Sequence, residues 1–271
     1  MKEIGFGRSA PRGKMDFRRK ELFLFDLDGV FYKGKEKPAK LGGSVAIRAL
    51  RAKGKRFFIL TNNSTDTVDT LHRNLLALDI PVRREEILTS IMLTAEYMTE
   101  RYGRASYFLV GEAGFDAELR RLGHRRVHGT RADVVAIGLD RFISYEKLDV
   151  AAKVARKGAD LVASHAAMTY MSGSGPAMGP GPIVRALESA SNKKATVIGK
   201  PSPLMFRIAL KKAGCRAGVA VMLGDQLDTD VAGATRAGID SVLVLTGVSR
   251  SAKGTPAIGE LKNVDELSKY I

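Results

Sequence analysis

Tryptophan is absent from this 271-residue chain, cysteine occurs once and histidine four times. A single cysteine, Cys215, excludes an intrachain disulfide, so the fold must rest on packed cores and suits a reducing, cytoplasmic setting. Cys215 falls between a helical run and a strand-like one, where a lone thiol serves as a small core residue rather than a nucleophile. His72, His124, His128 and His165 sit in unrelated segments without H-x-x-H or H-E-x-x-H spacing, which excludes a histidine zinc site. The first three are expected at the surface, on a helix or near a turn. No apolar run approaches the roughly 18 residues that a membrane span requires. The basic N-terminus also lacks the apolar core of a signal peptide. Acids are the scarcer charge, 29 Asp and Glu against 44 Lys and Arg, for a formal net charge of +15. Such a field attracts anions, and nucleic acid without sequence preference. With no RNA-reading motif and no tryptophan, a charged solubilising surface is the expectation, without a specific nucleic-acid partner.

Present in abundance is the alternation of strand-like and helical runs that marks a parallel sheet with crossover helices. The length favours about two domains, and 45% hydrophobic with 27% charged residues is the balance of a soluble globular chain. Met1 to Lys14, Gly- and Arg-rich without periodicity, reads as a flexible extension within a basic segment 1–20. Strands are expected at Glu21 to Phe25, Phe57 to Leu60 and Ile87 to Ser90. Helices are expected at Ser44 to Lys53, Thr67 to Leu78 and Met92 to Arg101, with a loop or flap at Val30 to Gly42. A second alternation follows: strands Ser106 to Val110, Val134 to Gly138 and Leu161 to Ser164, helices Ala113 to Leu122 and Tyr145 to Arg156. From Thr196 the first pattern resumes, with helix Pro203 to Ala213, strand Val219 to Leu223, helix Asp230 to Ala237 and strand Ser241 to Leu245. A short helix at Asp265 to Tyr270 closes the chain.

Four segments carry chemistry. Leu22-Phe-Leu-Phe-Asp-Leu-Asp-Gly29 runs a doubly buried strand into two aspartates one residue apart. Leu60-Thr-Asn-Asn-Ser64 ends a second apolar run in small hydrogen-bonding side chains. Gly199-Lys-Pro-Ser-Pro203 sets a lysine before an amphipathic helix. Gly224-Asp-Gln-Leu-Asp-Thr-Asp230 breaks a third strand into aspartates. Each alone has a bland reading as an Asx turn, a polar strand end, a solvated lysine or an N-cap cluster. Together they place a carboxylate pair, hydroxyl and amide groups, an ammonium and further carboxylates on strand ends that a parallel sheet gathers at one edge. Close carboxylates repel unless a cation lies between them or one is protonated. The combination reads as an anion site with a metal.

In this order the segments resemble the haloacid dehalogenase (HAD) superfamily of phosphohydrolases, most closely its NagD or 4-nitrophenylphosphatase-like branch, from about Glu21 onward. The resemblance implies an α/β fold: a Rossmann-like parallel-sheet core over 21–90 and 197–271, with an inserted α/β cap domain over 91–196. It implies Asp26 as nucleophile forming an aspartyl-phosphate, Asp28 as acid and then base, and Lys200 as a fixed positive charge. Thr61, Asn62 and Asn63 would bind phosphoryl oxygens. Asp26, the Asp28 carbonyl, Asp225 and Asp230 would hold Mg²⁺ by oxygen-only ligation. Asp28 argues against the dehalogenase members, which lack an acid there. Asp228 is expected to cap the following helix.

The loop from His165 to Gly181 corresponds to the family's substrate-facing cap loop. Relatives carry Asn or His and then Pro-Asp at its start, where this chain has His165-Ala166-Ala167. Met168, Tyr170, Met171 and Met178 imply a more apolar leaving-group pocket, against the alternative of a Gly-rich connection without a ligand. The implied partner is a small phosphorylated metabolite, and the family allows a homodimer through the cap. Two alternatives share the scaffold: a phosphotransferase or phosphomutase, and a non-catalytic protein binding an anionic partner such as RNA.

Overall fold

The computed structural model describes residues 15–34, 38–172 and 175–271. The flexible extension expected over 1–14 lies outside the described residues. Leu22–Phe25, the continuously apolar run, forms a strand in which every side chain is fully buried. Such a side chain contributes ~1.5–3 kcal/mol when taken from water. It is the centre of a six-stranded sheet with the order Gly259–Leu261, Asp240–Val244, Ala220–Gly224, Leu22–Phe25, Arg56–Thr61, Ile87–Thr89. The pairings from Gly259–Leu261 through to Arg56–Thr61 are all parallel. Phe25 lies level with Leu223 on one side and Ile59 on the other. Parallel pairing therefore delivers Asp26, Thr61 and Asp225 to one edge.

The second sheet runs Thr196–Val197, Asp160–Ala163, Val134–Ile137, Ser106–Val110, Arg125–Arg126, again parallel throughout. Helices Tyr145–Arg156 and Gly181–Ser191 pack on it through Ala151, Val154, Ala155, Ile183, Val184 and Leu187. The chain divides into two compact units. One comprises the described residues up to Thr61, His72–Leu88 and Lys200–Ile271; the other comprises Asn62–Leu71 and Thr89–Gly199.

Several local expectations change. Thr196–Val197, expected to resume the core, pairs with Asp160–Ala163, so the second unit is wider than 91–196. A two-residue strand held by backbone pairing alone leaves no hydrophobic period to read. The flap at Val30 to Gly42 contains a small antiparallel pair, Tyr32–Lys33 with Ala39–Lys40. The loop at Ala166 to Gly181 contains a hairpin, Thr169–Ser172 with Gly175–Met178. The helix expected from Asp230 begins earlier, as a π-helical turn over Leu227–Val231 that leads into Ala232–Arg236. His124 is buried rather than exposed: the Ala105 N–H donates to Nδ1 at 3.1 Å, and Nε2 lies 3.0 Å from Thr99 Oγ1.

Candidate active site

Asp26 continues the ladder of its strand, its N–H donating to the Leu223 carbonyl at 2.9 Å. Its side chain is buried at the sheet edge, where Oδ1 accepts the Leu27 N–H at 2.7 Å and meets Lys200 Nζ at 2.6 Å. Lys200 is itself buried and shares its ammonium with Asp230 Oδ1 at 2.8 Å. Burial opposes the lysine's charge, but the Asp230 and Asp26 carboxylates outweigh it and hold its pKa above the usual lysine range. Pro203 opens the helix behind it and Ser202 caps that helix, accepting the Leu204 N–H at 3.3 Å.

Asp225 follows the strand Ala220–Gly224 into the same edge. The Val248 N–H donates to its Oδ2 at 2.8 Å, while its buried Oδ1 has no hydrogen-bond partner. Burial and the charges of Asp26 and Asp230 raise the Asp225 carboxyl to about 8. Burial, with the charge of Asp26, raises Asp230 as well, against the opposing pull of Lys200. The π-turn folds Asp230 back, so that Oδ2 accepts the Gln226 N–H at 3.1 Å. Such a turn inserts one residue into the helical spacing and is common at functional sites.

Glycines make the room. A Cβ at Gly224 would lie 2.3 Å from Asp230 Cγ, one at Gly29 2.5 Å from Asp225 Oδ2, and one at Gly247 1.8 Å from the same oxygen. Gly29 also needs its left-handed φ of 81° for the turn after Asp28. Carboxylate oxygens of Asp26, Asp225 and Asp230 can be chosen that all lie within 4.8 Å of one another. Three buried carboxylates, one with an unpartnered oxygen and two held back from ionising, fit a hard divalent cation with oxygen ligands.

Asp28 is exposed and forms a lone backbone bridge with Tyr32. Thr61 is buried at the end of its strand. Asn63, expected to bind phosphate, also braces a local turn with its side chain. Its Oδ1 accepts the N–H groups of Thr65 and Asp66, at 3.0 and 2.9 Å, and its Nδ2 donates to Asp66 Oδ2 at 2.7 Å. Asp228 does not cap a helix: it is exposed within the π-turn, and Asp230 binds the Gln226 amide. The structure thus brings Asp26, Lys200, Asp225 and Asp230 together. Sequence reasoning missed Gly247 and Val248, whose one signal is a glycine shortly after the strand Asp240–Val244.

Comparison with known proteins bears directly on this arrangement. A haloacid dehalogenase-like hydrolase family matches residues 23–125 and a HAD-hydrolase-like family matches residues 197–267. A 5′-nucleotidase of Bacillus subtilis is 30% identical over 92% of this chain and 96% of its own length. An acid sugar phosphatase of Staphylococcus aureus is 31% identical over 91% and 96%. This chain is a HAD-type phosphatase. Among solved structures of HAD phosphatases, the 4-nitrophenylphosphatase of Thermotoga maritima superposes with a TM-score of 0.84 at 34% identity, covering 93% of this chain and 97% of that one. A thermostable NPPase double mutant from Geobacillus stearothermophilus gives 0.84 at 34%, covering 92% and 98%. These relatives belong to the NagD and 4-nitrophenylphosphatase branch of the HAD superfamily, as this chain does. Among the described residues, no helix is long and apolar enough to cross a membrane.

Proposed function

We propose that this HAD phosphatase hydrolyses small-molecule phosphate monoesters through attack by Asp26, with Mg²⁺ held by Asp26, the Asp28 carbonyl, Asp225 and Asp230. The observation that carries the reading is the pairing of one buried ammonium with two of three clustered carboxylates, beside the unpartnered Asp225 Oδ1. An isolated buried acid trio would be costly and would serve no packing purpose. When bound, the cation neutralises charge on the phosphoryl group.

The chain's own groups do the rest. Lys200 and the Leu27 N–H orient the Asp26 carboxylate. A carboxylate oxygen of Asp26 forms a bond to phosphorus as the ester P–O bond breaks. Asp28, exposed and one residue removed, gives its proton to the departing alkoxide. Water then attacks phosphorus and yields its proton to Asp28, and Asp26 leaves as a carboxylate. Thr61 and Asn62 supply hydroxyl, amide and backbone donors to the phosphoryl oxygens. The net change is one ester and one water to one alcohol and one phosphate.

The relatives' names extend to substrates: nucleoside monophosphates, sugar phosphates and aryl phosphates are the classes proposed. The single cysteine supports a cytoplasmic setting. Exposed Phe142 and Tyr145, 84% and 87% accessible on the second unit, support a homodimer through that unit, which light scattering would test. The decisive experiment is phosphate release from a panel of phosphorylated metabolites, with Mg²⁺ and then EDTA. Turnover of several esters, abolished by EDTA and restored by Mg²⁺, is expected. Release from none, acetyl phosphate and 4-nitrophenyl phosphate included, rejects the reading.

A further inference from the structure

Asn62–Leu71 belongs to the second unit, and within that unit residues far away in sequence hold its buried turn at Ser64. Ser64 Oγ accepts the Leu139 N–H at 3.2 Å and lies 3.3 Å from His165 Nε2, with both side chains buried. Leu139 and His165 each stand two residues beyond a strand of the second sheet, Val134–Ile137 and Asp160–Ala163. On another flank Ser90 Oγ lies 3.2 Å from both the Asn62 and Asn63 carbonyls. A Cβ at Gly199 would meet Asn62 Oδ1 at 2.5 Å, the Ser164 carbonyl at 2.6 Å and His165 Cβ at 2.9 Å. The Asn62 side chain therefore packs on bare backbone next to His165.

A buried imidazole is costly unless its nitrogens are bonded. The Ala167 N–H faces Nδ1 at 3.4 Å, which assigns the proton to Nε2 and makes Nε2 the donor to Ser64. Ser64 then accepts from His165 and Leu139 together. Asn62 directly follows Thr61 in the chain and Gly199 directly precedes Lys200. Two strands of chain carrying proposed phosphate-site residues thus start from one buried knot, and His165 is its only imidazole among the described residues. An alanine there would leave the Ser64 hydroxyl one donor short and open space beside Asn62.

We propose that His165, acting through Ser64, is a positioning residue that holds Asn62 for the phosphoryl group. The proposal rests on the reading above that Thr61 and Asn62 bind phosphoryl oxygens. Holding the phosphate cradle affects every ester alike, whereas reading the leaving group affects bulky esters most.

The test compares wild type, His165→Ala, Ser64→Ala, the double variant and His165→Gln, whose amide nitrogen reaches the place of Nε2. Expected for His165→Ala is a KM raised about 5- to 10-fold, the size of one net hydrogen bond. The same factor should appear for acetyl phosphate, for 4-nitrophenyl phosphate and for inhibition by inorganic phosphate, with kcat nearly unchanged. His165→Gln should recover most of the loss, and the double variant should be no worse than either single one. A loss graded by leaving-group size, or a lowered melting temperature with unchanged KM, overturns the proposal. Hydrogen exchange at the amides of 62–66 reads the hold on the turn without turnover. Faster exchange in His165→Ala is expected, and unchanged exchange overturns the idea. Wild type that turns over nothing while the variant's exchange quickens would fault the phosphatase reading alone.

Discussion

Gly247 and Asp225 fit so closely that a single methyl on the glycine would lie 1.8 Å from the carboxylate's Oδ2. That oxygen accepts the neighbouring Val248 N–H at 2.8 Å, so the loop after Asp240–Val244 forms one wall of the carboxylate cluster. Gly247→Ala should push Asp225 aside at a cost of ~1–3 kcal/mol, as overpacked sites do. The expected outcome is a lowered melting temperature and a Mg²⁺ requirement raised by about tenfold or more, read by Mg²⁺ titration of activity. Gly129→Ala is the control, since nothing lies within 4 Å of its Cβ position. Wild-type behaviour of Gly247→Ala would show that the cluster does not depend on this wall.

Asp26→Asn keeps the shape of the side chain and loses its charge. Turnover should vanish while the fold persists, checked by circular dichroism. Wild type mixed briefly with substrate, quenched and reduced with borohydride should carry homoserine at position 26, found by mass spectrometry of the peptide. Reduction of no residue, under conditions that trap a control acyl phosphate, would argue for direct attack by water.

Metal-free protein should lose stability as pH rises. The Asp225 carboxyl, ordinarily near 3.8, is raised to about 8 by burial and by its carboxylate neighbours, and Asp230 is raised too. Within that window the folded chain holds protons that the unfolded chain has released, so raising the pH favours unfolding. Mg²⁺ takes the proton's place, and with it present the decline should flatten or reverse. Urea midpoints between about pH 5 and 8, in EDTA and in Mg²⁺, measure both slopes. Rising stability in EDTA across that range would contradict the assignment.

The hairpin Thr169–Ser172 with Gly175–Met178, with Met168 exposed just before it and Met178 exposed at its end, is the segment we propose as the specificity loop. Replacing it with a Gly-Ser linker should reorder bulky esters far more than it alters acetyl phosphate, which has little leaving group to recognise. A uniform change across all substrates would assign the hairpin a role other than specificity.

Much of the site was legible because its chemistry hangs on strand ends. A doubly buried strand is written as an unbroken apolar run, so Leu22–Phe25 and the aspartate that ends it could be placed from sequence alone. The same logic located Thr61 at the end of Arg56–Thr61 and Asp225 after Ala220–Gly224. Their order along the chain, with Lys200 ahead of a proline-opened helix, was enough to suggest the family and the parallel fold.

What the tertiary structure alone decided is which atoms meet. Periodicity reports that one face is buried; it does not report what lies across that face. Hence the turn braced by Asn63, the burial of His124, and the contact of His165 with Ser64 across 101 positions were invisible. The pairing of Thr169–Ser172 with Gly175–Met178 was hidden because the second strand, Gly-Pro-Ala-Met, carries little strand preference, and backbone pairing supplies what its side chains do not. The π-turn at Leu227–Val231 was hidden because one inserted residue breaks no sequence rule, yet it decides that Asp230 and not Asp228 turns inward. Residue types determined the chemistry available to this chain; packing at distances no local pattern encodes determined which of those residues share one ammonium.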